Sequence, residues 1–520
     1  MALANQADDL TTSDKKTYGQ ILKSSAIIGG SSVVTIGLSV VRTKVLALLL
    51  GPAGFGLFYV YGAILDLVRA IGGMGINTSG VRQIAEADGS GDAVRLSRTV
   101  TTLRRVAFIC GALGALLLVI FCKLISQFTF GNAQQAGALA LLALAVFFSD
   151  VTAGQAAVLQ GMRRLGDLAR MNVRGALYGT ILSVAIVLYF FQQGQPERGI
   201  VPSLVAVAAM GILTSWWYAR KIKVEPVSMT TAEVSTEVSG LLKLGFVFMT
   251  TALMSLAVTY VVRIIVLRQL DDSAAGYYSA AWQFGGIYVG FILSAMGTDF
   301  YPRLTAVAKD NAECNRLVNE QTEVGLLMAG PGVLGTLTFA PLVIQVFYST
   351  KFGPAVEVLR WICLGMLLRV ASWPMGFVLL AKGARKAIFF SELVAFVWQI
   401  GFAWVCVKQF GLRGSGIAFF ASYICYGCLI YFIVRSSSGF RWTTENKRIG
   451  LLYLALISVL FVGWYYLPRP AVVGGGIVIT VFASYYSAKK LCALVPLDKL
   501  PKPVRWLAAV LKLSPAKHEG

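Results

Sequence analysis

Long apolar runs separated by short polar segments make up most of the chain. Each run is close to the roughly 20 residues that an α-helix needs to cross the hydrocarbon core of a bilayer. The pattern predicts an all-α polytopic membrane protein of about 14 transmembrane helices. The runs lie at 21–41, 57–76, 106–125, 136–160, 173–191, 200–218, 244–267, 279–299, 324–348, 358–381, 387–407, 412–434, 449–467 and 471–488.

The basic residues between these runs give an independent check on their number. Alternate connections, together with the two ends of the chain, hold 33 of the 46 Lys and Arg residues, and the other connections hold ten. Cytoplasmic loops of membrane proteins carry such an excess of positive charge. The alternation therefore predicts an even number of spans, with both termini in the cytoplasm.

Composition agrees with a membrane protein and argues against catalysis. The chain is 57% hydrophobic and 14% charged, with a mean hydropathy of +0.70. The basic loops account for the net charge of +21, so nucleic acid is not an expected partner. His518 is the single histidine, and Cys425 and Cys428 form a C-x-x-C inside an apolar run without a second pair. We therefore expect neither a metal nor a cofactor, and no enzyme activity.

The connections suggest where the soluble parts lie. Residues 1–20 form a polar cytoplasmic segment without the features of a cleavable signal peptide. The longer inward connections, including the linker 219–243, are polar and are expected to extend helices beyond the membrane. The basic tail 489–520 contains an amphipathic stretch after Pro501 that favours a short interfacial helix.

Two halves of the chain share a pattern of anchors. Lys23, Arg42, Gly56 and Arg82 are spaced by 19, 14 and 26 residues, and a second set is spaced by 20, 13 and 27 residues. The second set is Lys243, Arg263, Gly276 and Arg303. Both copies start on the predicted cytoplasmic side, which indicates a parallel repeat of the kind that places a substrate site between two rocking lobes. We predict an N-lobe at 21–218, a C-lobe at 244–435, and two appended helices at 449–488.

Several motifs resemble those of a known family. They are GPAGFGL at 51–57, GYYSA at 276–280, FYPRLT at 300–305, and KGAR at 382–385 followed by SEL at 391–393. Together they resemble the Wzx-type polysaccharide translocases of the multidrug/oligosaccharidyl-lipid/polysaccharide (MOP) exporter superfamily, over residues 20–435. Many Wzx-type members stop near twelve helices, so the role of the appended pair is open.

The resemblance implies a flippase in the bacterial inner membrane that serves O-antigen or other polysaccharide synthesis. Its substrate would be an oligosaccharide on undecaprenyl or another isoprenoid diphosphate. The implied partners are that lipid, the membrane lipids, and the polysaccharide polymerase with its chain-length machinery.

Arginines inside the apolar runs are the candidate substrate residues, because burying a charge in the hydrocarbon region is costly and is usually tied to function. An arginine also binds phosphate oxygens in pairs and stays charged. A cationic cavity for the diphosphate is therefore expected from Arg42, Arg69, Arg263, Arg268 and Arg369. Arg69 is alternatively a packing partner of Asp66, and Arg263 and Arg268 are alternatively interfacial.

Acidic and aromatic residues complete the candidate site. Acids that are candidates for ion coupling or for charge pairing are Asp66, Asp150, Asp299 and Glu392. Aromatic rings that are candidates for stacking on sugars are Tyr260, Trp282 and Tyr288, with packing as the alternative.

Two other functions remain as alternatives. A multidrug exporter of the same superfamily would need an acidic or apolar cavity. A polytopic glycan polymerase or ligase is expected to carry a large outward loop with catalytic residues, whereas every outward loop here is short.

Overall fold

The computed structural model describes residues 2–222 and 231–494, and these residues form helices and short connections. No strand occurs in these two ranges. The first eight helices are α1 (Ala2–Gly72), α2 (Ile76–Gly89), α3 (Ala93–Phe130), α4 (Ala136–Gly161), α5 (Leu165–Gln192), α6 (Ile200–Ala219), α7 (Thr231–Gln269) and α8 (Asp272–Ala306). Seven more follow: α9 (Asn311–Thr338), α10 (Ala340–Phe347), α11 (Ala355–Ala381), α12 (Arg385–Phe410), α13 (Leu412–Ser438), α14 (Thr444–Tyr466) and α15 (Arg469–Leu494).

The all-α class expected from the apolar runs is confirmed. Among the residues described, 11 helices are long and apolar enough to cross a membrane, or up to 13 when two bent pairs each count as a span. Many large apolar side chains are exposed, such as Val478 at 68% and Phe432 at 64%. Such a surface suits contact with lipid tails and not with water.

The number of spans differs from fourteen because the first two apolar runs lie in one helical segment, which counts here as a single span. The span at 27–72 contains 46 residues, and a straight helix of that length would extend about 70 Å, more than twice the thickness of a bilayer core. Gly51, with φ 64° and ψ −174°, interrupts the helical backbone just before Pro52. If this segment crosses twice, the helices described here give the predicted fourteen, and that number remains a prediction.

A second difference concerns the predicted span 324–348. The chain bends by 80° between α9 and α10, so this run is a broken helix and not a straight one. Pro341 stands at the start of α10, where the N–H that proline lacks would have no acceptor within the helix. Its ring prevents α9 from continuing through this position.

Polar residues outside the apolar runs start several of these helices. Asp92 accepts hydrogen bonds from the N–H groups of Val94 and Arg95 at 2.9 and 3.0 Å, at the start of α3. Asp310 does the same at the start of α9. These caps satisfy backbone donors that a helix leaves free at its first turn. The parts of these connections at 93–105 and 311–323 are therefore helical, and their extension beyond the membrane stays a prediction.

Contacts divide the chain into two compact units, 1–268 and 269–520. In the first unit α3 packs on α4, α4 on α6, and α5 on α6. In the second unit α9 packs on α11, α11 on α13, and α12 on α13, which is the same order of partners. Helices α14 and α15 pack on α9. The proposed interfacial helix of the tail lies outside the described residues, as do residues 223–230 of the linker.

Candidate functional site

A charged cluster lies inside the first unit, where α1 and α4 meet. Nε of Arg69 is 3.6 Å from Oδ1 of Asp150, and Nη1 of Arg69 is 3.9 Å from Oδ1 of Asp66. Asp150 is 7% exposed, whereas the side chain of Asp66 is 54% exposed. The i,i+3 pairing of Asp66 with Arg69 was expected from sequence. The ion pair between Arg69 on α1 and Asp150 on α4 adds a third candidate residue to this pair.

Glycines bring α1, α3 and α4 close enough for this cluster to form. A Cβ on Gly72 would lie 2.7 Å from the Cα of Gly114, so no larger residue fits at that crossing. A Cβ on Gly111 would lie 3.2 Å from the Cβ of Asp150. Small residues commonly allow such close approach between membrane helices. The G-x-x-G spacing at 111–114 was the available signal for this contact, and sequence reasoning missed it.

Arg263 on α7 joins the same region. It is 9% exposed, and its guanidinium lies 5.5 Å from the centre of the Tyr59 ring and donates from Nη1 to the Tyr59 carbonyl at 3.4 Å. It also interacts electrostatically with Asp66. Burial and these contacts place the Arg263 side chain inside the first unit and away from solvent.

Arg42 also lies near Tyr59. It is half-buried on α1 and interacts electrostatically with Tyr59. Two arginines in matching places of the sequence repeat therefore both lie close to one aromatic side chain of the first unit.

A cavity of about 460 Å³ opens beside the cluster. Its charged lining residues are Asp66, Arg69 and Asp150, and its apolar lining includes Met249 and Leu256 of α7. Two carboxylates and one guanidinium face this space, so the cavity itself is not positive. This differs from a purely cationic pocket and fits the carboxylates that were expected for ion coupling or pairing.

Arg268 has a different position from the other arginines. It is exposed, and its Nη1 donates to the carbonyl of Gln127 at 3.1 Å, in the last turn of α3. A cation there interacts favourably with the free carbonyls and the negative end of the helix dipole. The structure thus places Arg268 as a helix cap, apart from the charged cluster.

Arg369 lies in the second unit, on α11. It is half-buried, and both Arg369 and Glu392 of α12 interact electrostatically with Tyr423 of α13. The Tyr426 hydroxyl donates to Oε1 of Glu392 at 3.4 Å. No carboxylate in the described part of the chain pairs directly with Arg369. Sequence reasoning missed these two tyrosines of α13, of which Tyr423 interacts with both candidates and Tyr426 with Glu392.

Asp299 pairs locally. Its Oδ2 accepts from Nη1 of Arg303 one turn later on α8, at 3.1 Å, and both side chains are largely exposed.

The aromatic candidates are engaged in packing. The Tyr260 hydroxyl shares a hydrogen bond of 2.6 Å with Thr129, and the Tyr288 hydroxyl donates to the Met328 carbonyl at 2.6 Å. Trp282 stacks on Tyr278 and meets Phe419 edge to face. These contacts favour the packing alternative, although Tyr288 keeps 40% of its surface exposed.

Metal binding finds no support in residues 2–222 and 231–494, where no three His, Cys, Asp or Glu side chains are grouped to hold an ion. The charged cluster can instead hold small cations at its carboxylates or anionic groups at its guanidinium groups. Which of these it binds depends on which side chain is released from its ion pair.

Known proteins match the chain in sequence and in fold. It is 23% identical over 408 residues to the lipid III flippases of Escherichia coli (strain K12) and of Shigella flexneri, a match that covers 78% of this chain and 96% of each relative.

Two solved structures share the fold. The lipid II flippase MurJ, in an inward closed conformation, matches with a TM-score of 0.65 and 16% identity, over 90% of this chain and 100% of that chain. A multidrug resistance MATE family transporter of the MOP superfamily, in an inward-facing conformation, matches with a TM-score of 0.60 and 14% identity, over 80% and 94%. At such identities these likenesses show the fold alone.

The family expected from the sequence motifs is confirmed by a match of its profile. That profile, described as "Polysaccharide biosynthesis protein", matches residues 45–357, which is more than half of the chain. The chain is therefore a member of this polysaccharide biosynthesis protein family and has the fold of the MOP superfamily.

Proposed function

We propose that the protein is a flippase for an oligosaccharide linked to undecaprenyl or another isoprenoid diphosphate. It moves this lipid from the cytoplasmic to the outer leaflet of a bacterial inner membrane, with both termini in the cytoplasm. The sugar unit would serve O-antigen or other polysaccharide synthesis, and the polymerase with its chain-length machinery would use the flipped product.

The observation that carries this proposal is the extent of the match to the lipid III flippases. The alignment covers 96% of those relatives, so it includes their membrane region as a whole and not a shared fragment. Family membership across residues 45–357 supports a role in polysaccharide synthesis independently.

The buried arginines supply a chemistry that fits a diphosphate. Arg263 is buried against Tyr59, Arg42 lies near the same ring, and Arg69 faces the cavity of the first unit. A guanidinium in an apolar environment attracts a phosphate group strongly because water screens the charges poorly there. Arg369 would contribute from the second unit. We propose that the predicted lobes 21–218 and 244–435 alternate in exposing these groups to either side.

The two carboxylates have a role in this scheme. Asp66 and Asp150 flank Arg69 and neutralise it while no substrate is bound. When a diphosphate approaches Arg69, one carboxylate is free to bind a cation or a proton. Ion binding and substrate binding would then be coupled through one guanidinium.

A second candidate function is an ion-coupled multidrug exporter. The observation that favours it is that two carboxylates and one guanidinium line the 460 Å³ cavity, which would suit a cationic substrate. The alignment covers 96% of the lipid III flippases, and this coverage favours the flippase over the exporter.

The deciding experiment is complementation in cells that lack the gene. Cells without the protein should accumulate the lipid-linked oligosaccharide on the cytoplasmic face, and the wild type should clear it. Arg263→Lys, which keeps the charge, should restore part of the export, whereas Arg263→Ala and Arg369→Ala should restore none at normal membrane abundance. Arg198→Ala, on an exposed loop, is the matched control and should behave as wild type.

The outcome separates the candidates. Absence of lipid-linked oligosaccharide accumulation in the deletion strain, together with hypersensitivity to cationic drugs, would favour the exporter. Normal export by both alanine variants would remove the arginines from the mechanism and leave the flippase assignment standing on the relatives alone.

A further inference from the structure

The second unit contains a larger cavity that is separate from all the candidates above. Its volume is about 840 Å³, and it lies where the ends of α11, α13, α14 and α15 meet the segment 349–354. Its charged lining residues are Arg360, Arg413, Arg469 and Glu357, with the ring of Trp464 beside them. Three guanidinium groups against one carboxylate give this cavity a net charge of +2.

Arg360 is held in place but keeps hydrogen-bonding capacity. Its guanidinium lies 3.9 Å from the centre of the Trp464 ring, which fixes the plane of the group by a cation–π contact. Its Nε is buried and has no hydrogen-bond partner among the described residues. The guanidinium of Arg360 thus keeps a donor that no protein group satisfies and that an acceptor in the cavity could use.

Arg413 is held more loosely by Glu357. Nη1 of Arg413 lies 3.5 Å from Oε1 of Glu357, which also accepts a hydrogen bond of 3.2 Å from the Tyr465 hydroxyl. Arg469 is exposed at the start of α15 and interacts electrostatically with Arg360. One carboxylate is therefore shared between Arg413 and Arg360, and Arg360 and Arg469 repel each other.

The predicted topology makes this concentration of charge unusual. The positive-inside pattern assigns all three arginines to the outer side, which has ten basic residues in all. Three of the ten are gathered around one cavity. Topology does not require positive charge on that side, so another cause is needed, and binding of an anion supplies it.

We propose that the cavity formed by Arg360, Arg413, Arg469 and Trp464 binds a phosphate or diphosphate group at the outer surface of the membrane. The net positive charge of the cavity attracts the negative charge of a phosphate or diphosphate, and planar guanidinium groups bind its oxygens in pairs. The ligand is the head group of an anionic lipid or a free diphosphate, which share this chemistry. Anion binding here does not depend on transport activity.

Calorimetric titration of the purified full-length protein with inorganic pyrophosphate tests the proposal. Binding to wild type should be saturable and should weaken with rising salt, as expected for an exposed charged site. Arg360→Gln, Arg413→Gln and Arg469→Gln should each weaken it by about tenfold or more, the effect of losing one charge-assisted contact. Arg198→Gln removes an equal charge from an exposed loop on the same predicted side and should leave the affinity unchanged.

A fourth variant changes the affinity in the opposite direction. Glu357→Gln removes the competing carboxylate and frees Arg413, so pyrophosphate should bind several-fold more tightly. If the four charged residues only stabilise one another, Glu357→Gln would instead lower the melting temperature without raising the affinity. Arg413 and Arg469 are exposed, so their variants are expected to fold normally.

Nanodiscs distinguish the two sources of the anion. One set of nanodiscs contains phosphatidylcholine alone, and the other also contains phosphatidylglycerol. If the affinity for pyrophosphate is equal in both, the cavity binds free diphosphate. If pyrophosphate binding is lost in the anionic nanodiscs, and if wild type retains phosphatidylglycerol whereas Arg360→Gln does not, the cavity binds a lipid head group. Absence of saturable binding in every preparation, or equal binding by wild type and all three arginine variants, overturns the proposal.

Discussion

Arg69 on α1 meets the buried Asp150 on α4, with 3.6 Å between Nε and Oδ1, while Asp66 on the same helix approaches Arg69 from the exposed side at 3.9 Å. The two carboxylates are therefore not equivalent. Both line the cavity, but Asp150 is buried and depends on Arg69 for its charge compensation, whereas Asp66 is 54% exposed and open to exchange.

Removing Arg69 should destabilise the protein by stranding Asp150. The Arg69→Leu variant leaves a carboxylate that is 7% exposed without its cation, and we expect a loss of about 1–3 kcal/mol in stability. Adding Asp150→Asn should recover most of that loss. Melting temperatures in detergent, measured together with membrane abundance, provide the comparison. Full stability of Arg69→Leu with complete loss of export would instead place Arg69 directly on the substrate.

Neutralising Asp66 should affect coupling and not folding. Its side chain is 54% exposed, so Asp66→Asn should change stability by less than about 0.5 kcal/mol. If Asp66 binds the coupling ion, export by this variant should no longer respond when the proton or sodium gradient is collapsed. Export assays with ionophores check this. The same response in wild type and Asp66→Asn would exclude Asp66 from coupling.

The role of Arg268 should separate from that of Arg263. Arg268 donates to the last turn of α3 and is exposed, so Arg268→Ala should cost about 0.3–1 kcal/mol and leave export intact. Thermal unfolding and export of the two alanine variants are the measurements. An export defect in Arg268→Ala equal to that of Arg263→Ala would return Arg268 to the substrate path.

The fold was more accessible to sequence reasoning than the site. Apolar runs of membrane length mark helices directly, because a lipid environment requires every backbone group to be paired within a helix. The merging of the first two runs was not visible, since Gly51 and Pro52 suggest a loop equally well. The bend between α9 and α10 is likewise a matter of backbone geometry.

Contacts between helices were the part that sequence could not supply. The pair Asp66 and Arg69 is local and was found, whereas the approach of Asp150 depends on glycines at the crossing of α1, α3 and α4. Arg360, Arg413 and Arg469 looked like isolated loop residues, because 109 positions separate the first of them from the last. Folding alone brings them around one cavity.

Cysteine labelling tests the predicted orientation. Positions Asn132 and Gln195 should react with an impermeant thiol reagent added outside the cell, and Gly89 and Thr444 should not. All four are exposed, so burial does not explain a failure to label. The native Cys428 is exposed and Cys122, Cys406 and Cys425 are half-buried, so the background needs all four replaced. Labelling of Gly89 in intact cells would contradict the predicted topology.

The attachment of α14 to α9 should depend on two asparagines. The side chain of Asn319 donates to the carbonyls of Asn315 and Arg441 at 2.9 and 3.1 Å. Its Oδ1 accepts from the backbone N–H of Thr443 at 3.0 Å and from Nδ2 of Asn446 at 2.9 Å. Asn319 is 7% exposed and Asn446 is 4% exposed, so water does not replace lost partners.

Replacing Asn319 with leucine removes all four bonds and leaves buried partners unsatisfied, and we expect a loss of about 2–4 kcal/mol. Asn446→Leu keeps the bonds of Asn319 to Thr443, Asn315 and Arg441, so its effect should be smaller. The double variant should lose less than the sum of the two, with a coupling of about 0.5–3 kcal/mol because both residues share one bond. Asn132→Leu, on an exposed connection, is the control for introducing leucine. Melting temperatures of wild type, the two single variants and the double variant measure the coupling. Strictly additive losses would show that the two asparagines act independently and that apolar contacts hold α14 to α9.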